Sequence, residues 1–383
     1  MGEDFQETAG DQDEQIIVAA RQVACHACGR GIGISGKQPF ALFPCPHCQA
    51  RLTVPGKIGE FLLLKELGRG SLGATYRAFD RHLSRQAAVK VVRRTVAAHP
   101  QQVSAFLQEA KAQASLDHHN IVQIYSLHRE QERPYIVMEY LGDGSLSDRV
   151  QSGPLDEPAA LQIGLALAEA LGAAASAGLL HGDIRPGNVL FEQDTPKLVD
   201  FGLARFLTPS PQLAASLPYM APERLAGQPA DVRGDIYSLG ATLFHVLSGS
   251  PPFAPEAAAD VQARQQHPAP SILKVRPVHP ATAVLVDAML AGDPQRRPQD
   301  YDALLALMRQ TLQRLAGQFV PTPATAAPAV RVAKPRPVVR KKKADLRLLL
   351  LFLILLLLGV ALVIGILFFA WSMNRTPPTT WEP

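Results

Sequence analysis

The spacing of hydrophobic positions changes character along the chain. Phe61 to Leu67, Thr75 to Phe79 and Ala87 to Val92 are short apolar runs rich in aromatic and β-branched residues, and they predict strands, the first two flanking a glycine turn. Val103 to Leu116 carries helical spacing. Ile136 to Tyr140 predicts another short strand, ending at a Gly-Asp-Gly turn. Beyond it the pattern is mostly helical, clearest at Ala159 to Ala177, Asp235 to Leu247 and Thr282 to Leu290. A β-rich stretch followed by an α-rich one predicts a two-lobed α+β domain over residues 58–315.

A different pattern occupies the C-terminal end. Leu348 to Ala370 runs 23 residues without a charge, almost all Leu, Ile, Val and Phe. As a helix it would reach about 34 Å at 1.5 Å per residue, enough for a hydrocarbon core of about 30 Å. It is apolar on every face and so has no side for water. Residues 347–371 are therefore expected to be a transmembrane helix, with Trp371 as an interfacial anchor. Arg340, Lys341, Lys342, Lys343 and Arg347 precede it and Arg375 alone follows. The positive-inside rule then places everything N-terminal in the cytoplasm and residues 372–383 outside, too few to fold into a sensor. Ala361 and Gly365 form a small-xxx-small pair that could assist a homodimer.

Charge sharpens the boundaries. The 383 residues carry a formal net charge of only +4, which gives no bulk argument for nucleic acid. Its distribution is uneven. Six acids and no base precede Arg21, and seven bases and no acid lie between Arg331 and Lys343. Residues 1–20 are expected to be a disordered acidic tail, and 316–346, rich in Pro, Ala and base, an extended linker. The basic run serves topology first; contact with anionic lipid head groups would add about 1 kcal/mol per base. No secretory leader is read at the acidic N-terminus.

The four cysteines all fall within residues 21–56. Cys25-x-x-Cys28 is followed after sixteen residues by Cys45-x-x-Cys48, the spacing of a zinc ribbon in which two knuckles place four thiolates tetrahedrally. In a reducing compartment such pairs point to metal rather than disulfide. Four thiolates leave no open position, so the Zn²⁺ is expected to be structural. His26 and His47 lie inside the knuckles as bystanders. The basic surface around the site is thin, and Phe40 and Phe43 suit a core as well as a stacking platform. A protein-recognition role is favoured over nucleic acid.

The chemistry lies between the two ends. Gly68-x-Gly70-x-x-Gly73 sits between two predicted strands; a dinucleotide fingerprint would open a helix after its last glycine, whereas Ala74 to Ala78 reads as strand. Ala87-Ala88-Val89-Lys90 follows, and alternation puts Lys90 on the face of Ala88. Glu109 lies in a helical stretch. His181-Gly182-Asp183-Ile184-Arg185-Pro186-Gly187-Asn188 precedes Asp200-Phe201-Gly202. Asp183, Asn188 and Asp200 are hard oxygen donors suited to magnesium.

In this order and spacing the residues resemble the eukaryotic-type (Hanks-type) serine/threonine protein kinases, in their bacterial form, over roughly residues 58–315. The resemblance implies that Gly68, Gly70 and Gly73 cover the phosphates of ATP, that Lys90 holds the α- and β-phosphates and pairs with Glu109, and that Glu139 to Leu141 bind adenine through their backbone, with Met138 as gatekeeper. It further implies Asp183 as the residue orienting the attacking hydroxyl, and Asn188 and Asp200 as ligands of Mg²⁺ or Mn²⁺. Arg185 stands near the transferred phosphate where serine/threonine kinases usually carry Lys; Pro186 and Ser216-Leu-Pro-Tyr219 fit the serine/threonine pattern. Ala221-Pro222-Glu223, Arg297 and Asp235 match scaffold positions, Arg297 pairing with Glu223 and Asp235 bracing the catalytic loop. Gly182 replaces the usual Arg, which removes the main receiver for a phosphorylated activation loop. Activity independent of such phosphorylation is expected. Protein substrates are the implied partners. The competing expectation is a catalytically weak pseudokinase scaffold that presents partners at the membrane.

Overall fold

The computed structural model describes residues 17–70, 72–201, 211–254 and 269–318. The expected transmembrane helix at 347–371, the basic linker and the tail after the helix lie outside the described residues.

The N-terminal lobe is a seven-stranded antiparallel sheet in the order β1-β6-β7-β8-β9-β11-β10. Its strands are β1 (Val18–Ala19), β6 (Gly56–Ile58), β7 (Phe61–Arg69), β8 (Gly73–Asp80), β9 (Arg85–Val92), β10 (Ile124–Glu130) and β11 (Arg133–Met138). The cysteine module occupies the chain between β1 and β6, as two hairpins: β2 (Gln22–Ala24) with β3 (Gly31–Gly33), and β4 (Leu42–Pro44) with β5 (Arg51–Thr53). Burial alternates along β8, whereas the central strands β9 and β11 are covered on both faces. One face of the sheet is packed by Ile58, Leu63, Tyr76 and Val89. The other meets the helix Pro100–Ala114 (α1) through Phe106 and Ala110.

Two expectations are corrected here. The acidic tail was expected to run to residue 20, but Ile17 is buried and Val18–Ala19 pairs with Lys57–Gly56. Its apolar Ile17 finds a place in the lobe's own core, which outweighs the charge of the preceding residues. The ribbon and the kinase-like domain were also expected as separate modules divided at residue 57. They share one sheet, because the strands entering and leaving the ribbon extend it beyond β7.

The C-terminal lobe packs around the helix Glu157–Ser176 (α2) and the helix Val232–Ser248 (α3), with Pro280–Met289 (α4) and Tyr301–Gln318 (α5) against them. Among the described residues α2 has the length and apolarity of a membrane span. Its buried face (Leu161, Leu167, Leu171) packs in this core, so the protein itself supplies its apolar surroundings. Asp231 caps α3 by accepting the N–H of Arg233 and Gly234, and Gly249 ends it at a φ of +86°. Thirteen of the seventeen residues of α3 are buried, making it the lobe's central pillar.

Candidate active site

The site lies where the two lobes meet. Leu67, Gly68, Gly70, Gly73 and Thr75 form its roof at the β7–β8 hairpin, and Ala88 and Lys90 its back wall on β9. In the strand register Thr75 stands opposite Lys90 and Arg77 opposite Ala88, so Ala88 and Lys90 share the cleft face, as alternation requires. The floor holds Arg185, Gly187, Asn188, Leu190 and Asp200. Met138, Glu139 and Leu141 close one end. Met138 also lines a second, smaller cavity behind the cleft with Phe106, Ala110, Gln113 and Phe201.

The floor is built by the loop after α2, the hairpin of β12 (Val189–Glu192) and β13 (Thr195–Leu198), and the two residues beyond it. Asn188 Nδ2 donates 2.8 Å bonds to the carbonyl oxygen of Asp183 and to its Oδ2, and Arg185 Nε lies 3.3 Å from the same carboxylate. His181 is fully enclosed. Its Nδ1 accepts the N–H of Asp183 and its Nε2 lies 3.0 Å from the Val199 carbonyl, so Nε2 carries the proton. Burial drives the His181 pKa down and keeps the imidazole neutral. Its ring rests 4.6 Å from that of Phe201. Beneath, the Asp235 carboxylate accepts the N–H of both His181 and Gly182 at 2.8 Å. Burial raises its pKa although those donors favour the charged form. Gly182 has a φ of +76°, a conformation open to glycine at little cost.

Asp200 follows β13 with a φ of +66°, a left-handed turn at a non-glycine residue. The turn brings Oδ1 to 2.7 Å from Lys90 Nζ, on a lysine side chain only 8% exposed. This corrects the expected pairing with Glu109. Lys90 carries one cation, and Asp200 takes it from inside the cleft. Glu109 is buried on α1 and does not line the cleft. Gly68, Gly70, Gly73, Glu139, Leu141, Arg185 and Asn188 line the cleft with Lys90 and Asp200, and Asp183 is held next to it by Asn188.

Sequence reasoning missed Lys197. From β13 it reaches back to Glu139 Oε1 at 2.5 Å and to Glu192 at 3.1 Å. Burial alone would lower its pKa, but the two carboxylates outweigh that and hold it above the ordinary value. The pair ties the segment that would face adenine to the lower lobe. Its only sequence signal is a Lys on a short strand three residues before Asp200. The expected scaffold pair is present: Arg297 donates to both Glu223 oxygens, at 2.6 and 2.8 Å, from a side chain with no exposure.

Residues 61–312 match the family model of the protein kinase domain. The chain belongs to the protein kinase family. Its kinase domain is accompanied by similarity to bacterial relatives. The serine/threonine-protein kinase Pkn1 of Myxococcus xanthus is 31% identical over 321 residues, covering 77% of this chain and 46% of that protein. The serine/threonine-protein kinase PknB of Mycolicibacterium smegmatis is 33% identical over 265 residues, covering 65% of this chain and 42% of that one. The chain thus spans under half the length of these relatives. The crystal structure of the Mycobacterium tuberculosis PknI kinase domain superposes with a TM-score of 0.55 at 26% identity, covering 67% of this chain and 97% of that one.

The four cysteines form a second site on the ribbon. Their sulfurs all lie within 4.8 Å of one another, with Cys25 and Cys48 3.5 Å apart and Cys28 and Cys45 3.8 Å apart. A zinc–sulfur bond of about 2.3 Å gives a tetrahedral edge of about 3.8 Å, so the cluster fits Zn²⁺. The two knuckles repeat one geometry. Gly29 N–H donates to Cys25 O and Gln49 N–H to Cys45 O, each from a residue with positive φ. Backbone N–H groups of Cys28 and Ala27 bring the Cys25 thiol down to about 6. The Ala50 N–H favours a thiolate at Cys48, but burial and the neighbouring sulfurs push it up to about 12. Four sulfurs this close resist becoming thiolates together without a cation among them.

Proposed function

We propose that the chain is a membrane-anchored protein kinase that transfers the γ-phosphate of ATP to Ser or Thr hydroxyls of proteins, in signalling, with kinase domain and ribbon in the cytoplasm and the segment 347–371 as the anchor. The observation that carries the activity is the convergence of Lys90, Asp183, Asn188 and Asp200 on one cleft roofed by a glycine-rich hairpin. The kinase domain family and the serine/threonine kinases among its relatives support the reading.

The hydroxyl oxygen of the substrate attacks the γ-phosphorus, the bond to the β–γ bridging oxygen breaks, and ADP leaves with that electron pair. Asp183 orients the hydroxyl and takes its proton. The amide of Asn188 fixes that carboxylate and the His181 ring accepts the Asp183 N–H, so positioning is built in before substrate arrives. Lys90 and Arg185 supply positive charge where the transferred group gains negative charge. Asn188 and Asp200 would hold Mg²⁺ or Mn²⁺, which when bound neutralises charge on the phosphates. The ribbon would hold a structural Zn²⁺.

A second reading has one observation in its favour: Lys90 is held by Asp200 at 2.7 Å. A scaffold that binds nucleotide weakly would share that arrangement. Incubation with γ-labelled ATP and a generic protein substrate, followed by acid hydrolysis, separates the two. Labelled phosphoserine or phosphothreonine is expected; no labelled product from folded protein would leave the scaffold.

A further inference from the structure

The cysteine module and the nucleotide cleft lie on opposite faces of one sheet, and two adjacent residues of β8 join them. Thr75 lines the cleft and stands opposite Lys90 in the register. Tyr76, the next residue, projects from the other face, as strand geometry requires, and is 1% exposed. Phe40, from the segment linking the two cysteine hairpins, lies flat against it. The ring centroids are 5.2 Å apart and the planes 8° from parallel.

Several features hold this contact in place. Phe40 has a φ of +64°, a region that bulky side chains avoid unless their surroundings impose it. Its N–H donates to the Val54 carbonyl at 2.8 Å. Val54 has no exposure and packs in the ribbon core with Cys25, Ile34 and Cys45. Gly56 leaves room for the ring: a Cβ there would come within 2.6 Å of Ile17 Cγ2 and 3.1 Å of Phe40 Cζ. The ribbon core consists of seven buried residues, two of them cysteines. A module this small depends on its metal for folding energy, so the placement of Phe40 depends on the metal too.

We infer that Phe40 is a positioning residue for the nucleotide, and that metal held by the four cysteines and nucleotide held in the cleft are coupled through the Phe40–Tyr76 contact. The inference names a regulation of the kinase site and so rests on that reading. A folded ribbon presses Tyr76 from behind and fixes the roof strand that carries Thr75. Loss of metal releases the ring and loosens that strand. The coupling must be reciprocal, so nucleotide tightens metal by the factor that metal tightens nucleotide.

The test uses the whole 383-residue chain. The affinity of a fluorescent non-hydrolysable ATP analogue with magnesium is measured on zinc-loaded and chelator-stripped protein. Zinc affinity is measured by competition with a chromophoric chelator, with and without the analogue. Removing zinc is expected to weaken the analogue about fivefold or more, and the analogue to tighten zinc by the same factor. Phe40→Ala is expected to abolish this coupling and Phe40→Tyr to retain it. Should Phe40→Ala shed zinc, Phe40→Leu, which keeps an apolar side chain but not the flat stack, carries the comparison. Equal analogue affinity with and without zinc, zinc affinity indifferent to the analogue, or coupling that survives both Phe40→Ala and Phe40→Leu would overturn the inference and leave the kinase reading intact. Wild-type protein that takes up no zinc would do the same. Failure of the analogue to bind in any form would instead remove the kinase reading itself.

Discussion

The Asp235 carboxylate, on the central helix of the C-terminal lobe, accepts the N–H of Gly182 at 2.8 Å, and its second oxygen does the same for His181. The catalytic loop is thus hung from the lobe's most buried helix by two charge-assisted bonds. Asp235→Asn keeps the shape but supplies one acceptor oxygen for two donors. A stability loss of about 1–3 kcal/mol is expected, because one buried N–H is left without a partner. Denaturant unfolding of the variant checks it, and phosphoryl transfer should fall with it as Asp183 loses its fixed position.

Gly182 makes a related prediction. At a φ of +76° any side chain is strained, so Gly182→Ala should cost about 1–2 kcal/mol. Gly182→Arg, which restores the residue usual in related kinases, should cost at least as much and create no need for activation-loop phosphorylation. Ser216 is buried in this segment and is not presented as a receiver site. Thermal unfolding of both variants, with activity before and after phosphatase treatment, gives the answer.

Lys90 offers the sharpest catalytic prediction among single side chains. Its ammonium is pinned 2.7 Å from Asp200 and faces the space where phosphates would lie. Lys90→Met should lower transfer by roughly 10²–10³-fold with little loss of fold, since removing one preorganised electrostatic donor costs about that much. Lys90→Arg should not rescue it, because a planar fork does not replace a compact cation in so closed a site.

Arg297 and Glu223 make an ion pair whose guanidinium has no exposure. Deleting one partner strands a buried charge, so Arg297→Ala should destabilise by about 3–5 kcal/mol. Replacing both partners should cost less than the sum of the single changes, and a double-mutant cycle by chemical denaturation measures the difference.

Burial holds His181, His245 and His118 below the ordinary histidine pKa in the folded state. The unfolded chain takes up protons first, near pH 6.5. Below that pH it binds more protons than the folded protein, so stability is full above the unfolded value and falls as the pH drops toward the depressed folded values. The melting temperature should therefore decline between pH 7 and 5. His181→Gln should flatten the decline without abolishing it, because the other two histidines remain.

Much of the kinase domain was legible because its signals are local. The strands β7, β8 and β9 and the helix α3 announce themselves by apolar spacing, and Asp183, Asn188 and Asp200 by short-range order. What escaped depends on contacts made across the chain. Lys197 reaches Glu139 from 58 residues away, and nothing in its own neighbourhood names that partner. Phe40 was equally suited to a core or a surface until Tyr76 was seen beneath it. Glu109 sits on the expected helix, yet no sequence pattern records which carboxylate the single charge of Lys90 will choose. Val18–Ala19 is too short to carry a strand pattern and is ordered by the edge strand it joins.

The central claim is that this cleft moves phosphate. The purified 383-residue wild type and its Asp183→Asn variant, matched for fold and nucleotide affinity, are given γ-labelled ATP, magnesium and a protein substrate. The account predicts steady labelling of Ser or Thr by the wild type and a loss of at least about 100-fold in the variant. Equal signals from the two proteins, or none from either, would contradict it.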